Sequence, residues 1–222
     1  MKRILSVVVL LAALAVAQNP VSESLALQKA GRVNGQTYAN DALGFSIEFP
    51  AKWKIEEAAQ MEQTAEAGHR FLYGRDPEAE EEHERAEKIV VRLAAATPPQ
   101  DPSQPDPRGV QIIVVPRSRL SPQEQKDFSA AAALQNPALV GAPLGKPKSV
   151  KIAGIEFETV GGSLGAVNAG GHSIPVHLAM YAIVRGENAL IFGVTAGDEK
   201  GSVEVAKTLE TLRFFDLKSS SK

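Results

Sequence analysis

Cysteine is absent from all 222 residues. No disulfide can staple this chain and no thiolate can act as nucleophile or metal ligand, which excludes zinc ribbons and cysteine-based catalysis. An excess of charge of one sign is also lacking, with 24 Lys plus Arg against 26 Asp plus Glu and a formal net charge of −2. Dedicated nucleic-acid binders carry a basic surplus, so that class is set aside. Aromatic residues are few, at 5%, and histidine occurs four times. What is present, 44% hydrophobic and 23% charged residues, lies in the ordinary globular range and excludes collagen or a wholly disordered chain.

The one long apolar run sits at the start. Lys2 and Arg3 precede Ile4 to Leu14, and Ala15-Val16-Ala17 leads into Gln18-Asn19-Pro20. A charged beginning, a short apolar stretch and a small-x-small site form a secretory leader, residues 1–17. The stretch is shorter than the ~20 residues that a membrane span needs. Cleavage after Ala17 leaves 205 of the 222 residues, and loss of Lys2 and Arg3 moves the charge from −2 to −4. With no cysteine behind the site, a lipid anchor is excluded. The expectation is a soluble exported protein, in periplasm or medium, with no stable membrane insertion after cleavage. Burial alone must hold it together, and chains of about this size bury roughly 70% of their surface.

Residues 18–36 are polar and weakly patterned and read as a flexible segment, either a short helix or a loose tether, with regular structure starting at Thr37. Phe45, Ile47 and Phe49 alternate with Ser46 and Glu48, the period of a half-buried strand that Pro50 closes. Trp53 and Ile55 alternate with lysine and glutamate, predicting a second strand and a hairpin with the first. Phe71 and Tyr73 suggest another strand.

The acidic run 76–88 (DPEAEEEHERAEK) reads as a solvated helix or loop. Ile89–Leu93 and Val110–Val115 are strand-like, and residues 97–109 between them hold five prolines, an extended connection that cannot join a sheet. Ser121-Pro122-Gln123-Glu124 offers a capping box for a helix to about Gln135. Two alternating runs flank Gly154. Residues 161–171 hold five glycines and read as a loop. Strands follow over Ile174–Val184 and Ala189–Val194, then a helix from about Glu199 to Arg213 with Val205, Ala206, Leu209 and Leu212 on one stripe. Phe214 and Phe215 are expected to pin that helix to the sheet, and residues 217–222 to fray. Strands joined by turns with few helices predict an α+β fold, a largely antiparallel sheet flanked by helices, in one domain over 37–216 around one core.

The stretch from Tyr38 to Trp53, with Tyr38-x-Asn40, Gly44-Phe45-Ser46-Ile47, Pro50 and Trp53, resembles the opening of PsbP-like domains. Asn188 to Phe215 is similar to their closing strand, Asp-containing turn, helix and Leu-Arg-Phe ending. The resemblance implies an α/β/α sandwich used to bind other proteins, generally without catalysis. The wider fold includes a photosystem II subunit, a Ran-binding import factor and exported bacterial proteins. It implies no residue-level function.

Four sharper readings turn on particular residues. Gly161-Gly162-Ser163-Leu164-Gly165 has the spacing of a nucleophile elbow, which needs a strand-to-helix turn; no helical pattern follows Ser163, and no acidic residue lies between it and His177. His172 and His177, five apart near a strand start, are poorly placed to share a metal, and His83 among Glu80, Glu81, Glu82 and Glu84 reads as a solvated charge run. All four histidines, His69, His83, His172 and His177, precede Asp198, against the usual order of Ser, acid, His on the hydrolase fold. Phe45, Phe49, Trp53, Phe71 and Tyr73 could line a pocket but are the expected core. The glycine-rich stretch lacks the Lys-Ser/Thr of a phosphate loop. No catalytic residue, cofactor or metal site emerges. The leading expectation is a non-enzymatic exported module that binds another envelope or secreted protein or assists an assembly, with 76–88 and 97–109 as contact surfaces. The alternatives are a serine hydrolase using Ser163 and a carrier of a small hydrophobic ligand.

Overall fold

The computed structural model describes residues 20–58, 60, 61, 85, 88–101, 106–136, 144–169 and 172–216. The leader, the tail 217–222, Phe71, Tyr73, His69, His83 and nearly all of the acidic run lie outside the described residues. Helix α1 (Pro20–Lys29) precedes strands β1 (Gly31–Asn34), β2 (Thr37–Asn40), β3 (Phe45–Glu48), β4 (Lys54–Glu57), β5 (Val91–Thr97) and β6 (Gly109–Pro116). Helices α2 (Pro122–Lys126) and α3 (Ala130–Leu134) lead to β7 (Lys148–Ile152), β8 (Ile155–Ala169), β9 (His172–Arg185) and β10 (Asn188–Ala196). Helix α4 (Glu199–Ala206) tightens into a 3-10 turn over Lys207–Thr211 before β11 (Arg213–Phe214).

Every strand pairing among these is antiparallel. One sheet runs β4-β5-β6-β10-β9-β8-β7 and the other β1-β2-β3-β11. This is the expected α+β class. The sheets face each other across Phe45, Ile47, Leu93, Ile112, Phe157 and Phe192, with Val205 and Leu209 of the terminal helix packed into the same cluster. A second cluster lies on the far face of the larger sheet, where Ala133 and Leu134 of α3 cover Val160, Met180 and Ile191. One core was expected, and the described residues form two clusters. The reason is visible in β10, where Leu190, Phe192 and Val194 serve one cluster while Ala189 and Ile191 serve the other. Both clusters share the same strands.

The segment read as either a short helix or a loose tether carries helix α1, and strand β1 after it, so regular structure starts before the expected Thr37. Its anchors come from elsewhere in the chain. Asn40, fully buried, donates from Nδ2 to the Leu27 carbonyl at 2.8 Å, and its Oδ1 accepts from the Leu43 amide at 3.1 Å. Gln28 donates to the Arg92 carbonyl, and Ser118 donates to Glu23. The guanidinium of Arg119 bonds Ser24 and pairs with Glu23 while also donating to the Lys88 and Val90 carbonyls.

The expected hairpin of β3 with β4 is also corrected. A turn closed by the Trp53 amide on the Pro50 carbonyl, with Lys52 at φ 71°, carries the chain from the small sheet to the edge of the large one. There β4 pairs with β5, while β3 lies between β2 and β11. Residues 161–169 of the glycine-rich stretch are strand rather than loop: β8 pairs with β9 as far as Ala169 and His172. The helix from Ser121 begins with the expected capping box but breaks at Asp127–Ser129, where Ser129 caps a new helix. Phe128 at the break packs against the second cluster. Phe214 joins the core beside Phe45 and Phe157, whereas the ring of Phe215 is 40% exposed and that residue holds the chain end through its backbone, its amide donating to the Gly44 carbonyl and its carbonyl accepting from Arg185. The turns at Gly154 and at Arg185–Asn188 stand as expected, the first with Ala153 and Gly154 both at positive φ in a two-residue hairpin.

Tyr38, 1% exposed, has its phenol pushed up to about 12, chiefly by burial, against the lowering effect of the bond from Asn40. The native state therefore favours the protonated ring, and that stability is complete below about pH 10 and is lost as pH rises through about 12. Unfolding by urea between pH 9 and pH 12 is expected to show wild type losing up to about 3 kcal/mol more than Tyr38→Phe. Parallel pH profiles for the two proteins would contradict this.

Candidate functional site

The β8–β9 ladder places Ser163 directly opposite His177, a juxtaposition that their 14-residue separation does not announce. The two side chains are otherwise engaged. Ser163 is exposed at a bulge, and its hydroxyl accepts from the Gly165 amide at 3.3 Å. Gly165, at φ 94°, makes the bulge possible. His177 turns to α4, where its Nδ1 shares a 2.9 Å hydrogen bond with the hydroxyl of Ser202, itself 2% exposed. Ser202 is held by its own amide on the Asp198 carbonyl, and Asp198 caps α4 by accepting from the Gly201 amide. His177 therefore ties the terminal helix to the sheet. Among the described residues no carboxylate bonds to its ring. Ser163 stands inside a strand, not on the strand-to-helix elbow that the spacing alone suggested.

His172 lies at the hairpin end of β9 opposite Ala169. Among the described residues no group of three His, Asp or Glu is placed to hold a metal. Phe45 and Phe49 are core side chains, 0% and 2% exposed, and Trp53 packs against the same cluster. The apolar cavity nearest to a carrier site lies elsewhere, under α2 and α3 beside Phe128, Leu120 and Val115, with about 250 Å³. That is below the ~300 Å³ at which ligand pockets begin.

Among the described residues, a concavity runs along α4. Two neighbouring cavities, of about 380 and 520 Å³, share Tyr181 and Val203 in their lining. The floor is the β8–β9 ladder, with Thr159, His177 and Tyr181. Burial raises the Tyr181 phenol, so it stays a protonated donor at neutral pH. One wall is α4 and its 3-10 extension, bearing Glu199, Val203 and Glu210; the other is the segment from Leu144 to Ile152. That wall is the outer edge of the large sheet, since no strand lies beyond β7 among the described residues. Lys146, Lys148 and Lys151 stand along it, and among the described residues none of their amino groups meets a carboxylate. Lys151 faces Glu156 in register without closing an ion pair. These lysines, Tyr181 and Ser202 were not singled out in the sequence. Only the repeated lysine around Pro147, a residue confined to strand starts and edges, signals the edge beforehand.

The β5–β6 connection is tied at its base, where the Gln100 amide bonds the Pro98 and Asp106 carbonyls and accepts from the Asp106 amide. Arg108 forks onto Asp106 and holds its carboxyl below the usual range. Residues 102–105 lie outside the described residues. Among the described residues no helix is long and apolar enough to cross a membrane.

No family model matches the sequence, and no curated protein is significantly similar to it. Among solved structures, a protein of Bacteroides thetaiotaomicron is 13% identical over 83% of this chain and 50% of its own, with a TM-score of 0.44. The chain thus spans about half the length of that protein. Cyanobacterial PsbP (CyanoP) of Synechocystis is 12% identical over 84% of this chain and 99% of its own, with a TM-score of 0.43. LpqN, involved in cell envelope biogenesis of Mycobacterium tuberculosis, is 13% identical over 75% of this chain and 78% of its own, with a TM-score of 0.32.

Proposed function

We propose that this chain is an exported, non-enzymatic module of one PsbP-like domain that binds another envelope or secreted protein or assists an assembly. The observation that carries the reading is the open side of the large sheet: among the described residues β7 ends it without a neighbouring strand, beside a cleft floored by polar side chains. The export signal at Lys2–Ala17 supports the location, and the motif from Tyr38 to Trp53 supports the family. Asn40 of that motif fastens α1 and Phe45 fills the core, which gives a physical role to the Asn of Tyr-x-Asn and the Phe of Gly-Phe-Ser-Ile. The two side chains best suited to acyl transfer, Ser163 and His177, spend their hydrogen bonds on a bulge and on a helix.

The test is a pair of measurements on the full-length protein. A fluorophosphonate serine probe is expected to leave it unlabelled, and labelling that disappears in Ser163→Ala would replace this reading by the hydrolase. Crosslinking in envelope extract is expected to recover discrete protein partners, fewer of them once residues 97–109 are deleted. Equal recovery would take that connection out of the contact surface.

A further inference from the structure

We infer that the β7 edge binds an extended acidic segment of the partner as an eighth strand of the large sheet, with the apolar side chains of that segment entering the cleft beside α4. The inference rests on the protein-binding reading above and names the chemistry of the partner. Its basis is backbone geometry. The two-residue turn at Ala153–Gly154 makes Ile152 and Ile155 a hydrogen-bonded pair, so Lys148, Val150 and Ile152 direct their main-chain groups to β8. The amides and carbonyls of Ser149 and Lys151 then point outward, where no strand lies among the described residues. An unpaired edge is a template for strand addition.

Side chains define what is added. Val150 and Ile152 face the cleft, whose far wall offers Val203, 56% exposed and hydrophobic. Alternate residues of an added strand would lie over them and favour apolar types. Lys146, Lys148 and Lys151 flank this strip without ion pairs among the described residues and would meet carboxylates on the intervening and flanking residues of the added strand. A second copy of this chain is the poorer occupant. Pairing β7 with itself would gather six lysines on one seam, the arrangement by which edge lysines ordinarily discourage self-association. An acidic strand relieves that repulsion. An alternating acidic and apolar strand satisfies the backbone, the cleft and the lysines together.

A capped, fluorescently labelled nonapeptide alternating Glu and Val tests this, with a Lys and Val peptide as control. The acidic peptide is expected to bind by anisotropy, more weakly at high salt, and to slow hydrogen exchange at the Ser149 and Lys151 amides. Ser149→Pro removes an outward donor at an edge position that tolerates proline and is expected to weaken binding by roughly tenfold or more. Lys148→Glu combined with Lys151→Glu leaves the backbone intact and is expected to transfer the preference to the basic peptide. No binding of the acidic peptide, equal binding by the proline variant, or protection confined to other strands would overturn the inference. A dimer of the free protein with β7 protected would assign the edge to a second copy instead. Crosslinked partners found without protection of β7 would refute the edge and keep the protein-binding reading, whereas probe labelling of Ser163 would refute that reading itself.

Discussion

Replacing Phe45 by alanine is expected to lower the unfolding free energy by about 3–5 kcal/mol, among the largest effects of any single truncation in this chain. Phe45 is 0% exposed and stands where the two sheets meet. Its ring lies 5.9 Å from Tyr38, 5.8 Å from Phe192 at a near-perpendicular angle, and 6.3 Å from Phe214. Truncation removes the buried apolar surface and leaves a cavity whose walls belong to β2, β10 and β11, three strands of two different sheets. Such walls cannot collapse together without shifting one sheet over the other. The three ring contacts add about 0.5–1.5 kcal/mol each beyond the area they bury, although not additively. Phe45→Leu keeps most of the volume and is expected to cost less than half as much. Urea unfolding with an unchanged slope measures both. A loss below about 1 kcal/mol for the alanine variant would mean that β3 does not seal the space between the sheets.

The second large effect is expected at a polar residue. Asn40 bonds the last turn of α1 through the Leu27 carbonyl, the Tyr38 hydroxyl at 3.3 Å, and the Leu43 amide. Asn40→Leu leaves the Leu27 carbonyl and the Leu43 amide without partners in a fully buried place, at about 1–3 kcal/mol for each group. Asn40→Asp is expected to be worse at neutral pH. It keeps the acceptor for Leu43 but turns a second oxygen toward the Leu27 carbonyl. Burial raises the pKa of such a carboxyl in the folded state, so the variant's stability is greatest in acid and declines as pH rises above about 4. Hydrogen exchange gives the decisive readout. Amides of α1 should lose protection before those of β10 in either variant, because Asn40 fastens the helix rather than the sheet. Uniform loss across the chain would show that α1 does not detach separately.

The physics that could be read locally was read correctly in several places. The alternation of Phe45, Ile47 and Phe49, the paired strands around Gly154, the β9–β10 hairpin and the capping box at Ser121 each depend on residues within a turn or two of one another. The failures share a different character. Helix α1 has a weak apolar pattern, and its order comes from Asn40, 13 residues beyond Leu27, and from Arg119, 95 residues beyond Ser24. The glycine-rich run has no strand alternation of its own, yet it extends β8 because β9 offers a continuous ladder. β3 and β4 look like a hairpin because both alternate, but alternation says which face is buried and not which neighbour is chosen. In the candidate site, Ser163 drew attention through its spacing, while the hydroxyl that His177 takes is Ser202, on a helix 25 residues further on.

Composition and short-range periodicity thus decided the class of fold, its freedom from disulfides, and most of its strands, since propensity, turn chemistry and burial faces are encoded within a few residues. Partner choice between strands, the docking of α1, the two clusters on either side of one sheet and the lysine-edged cleft were decided only when distant segments met. Their energies come from hydrogen bonds and buried contacts between residues far apart in the chain, and no local pattern records those.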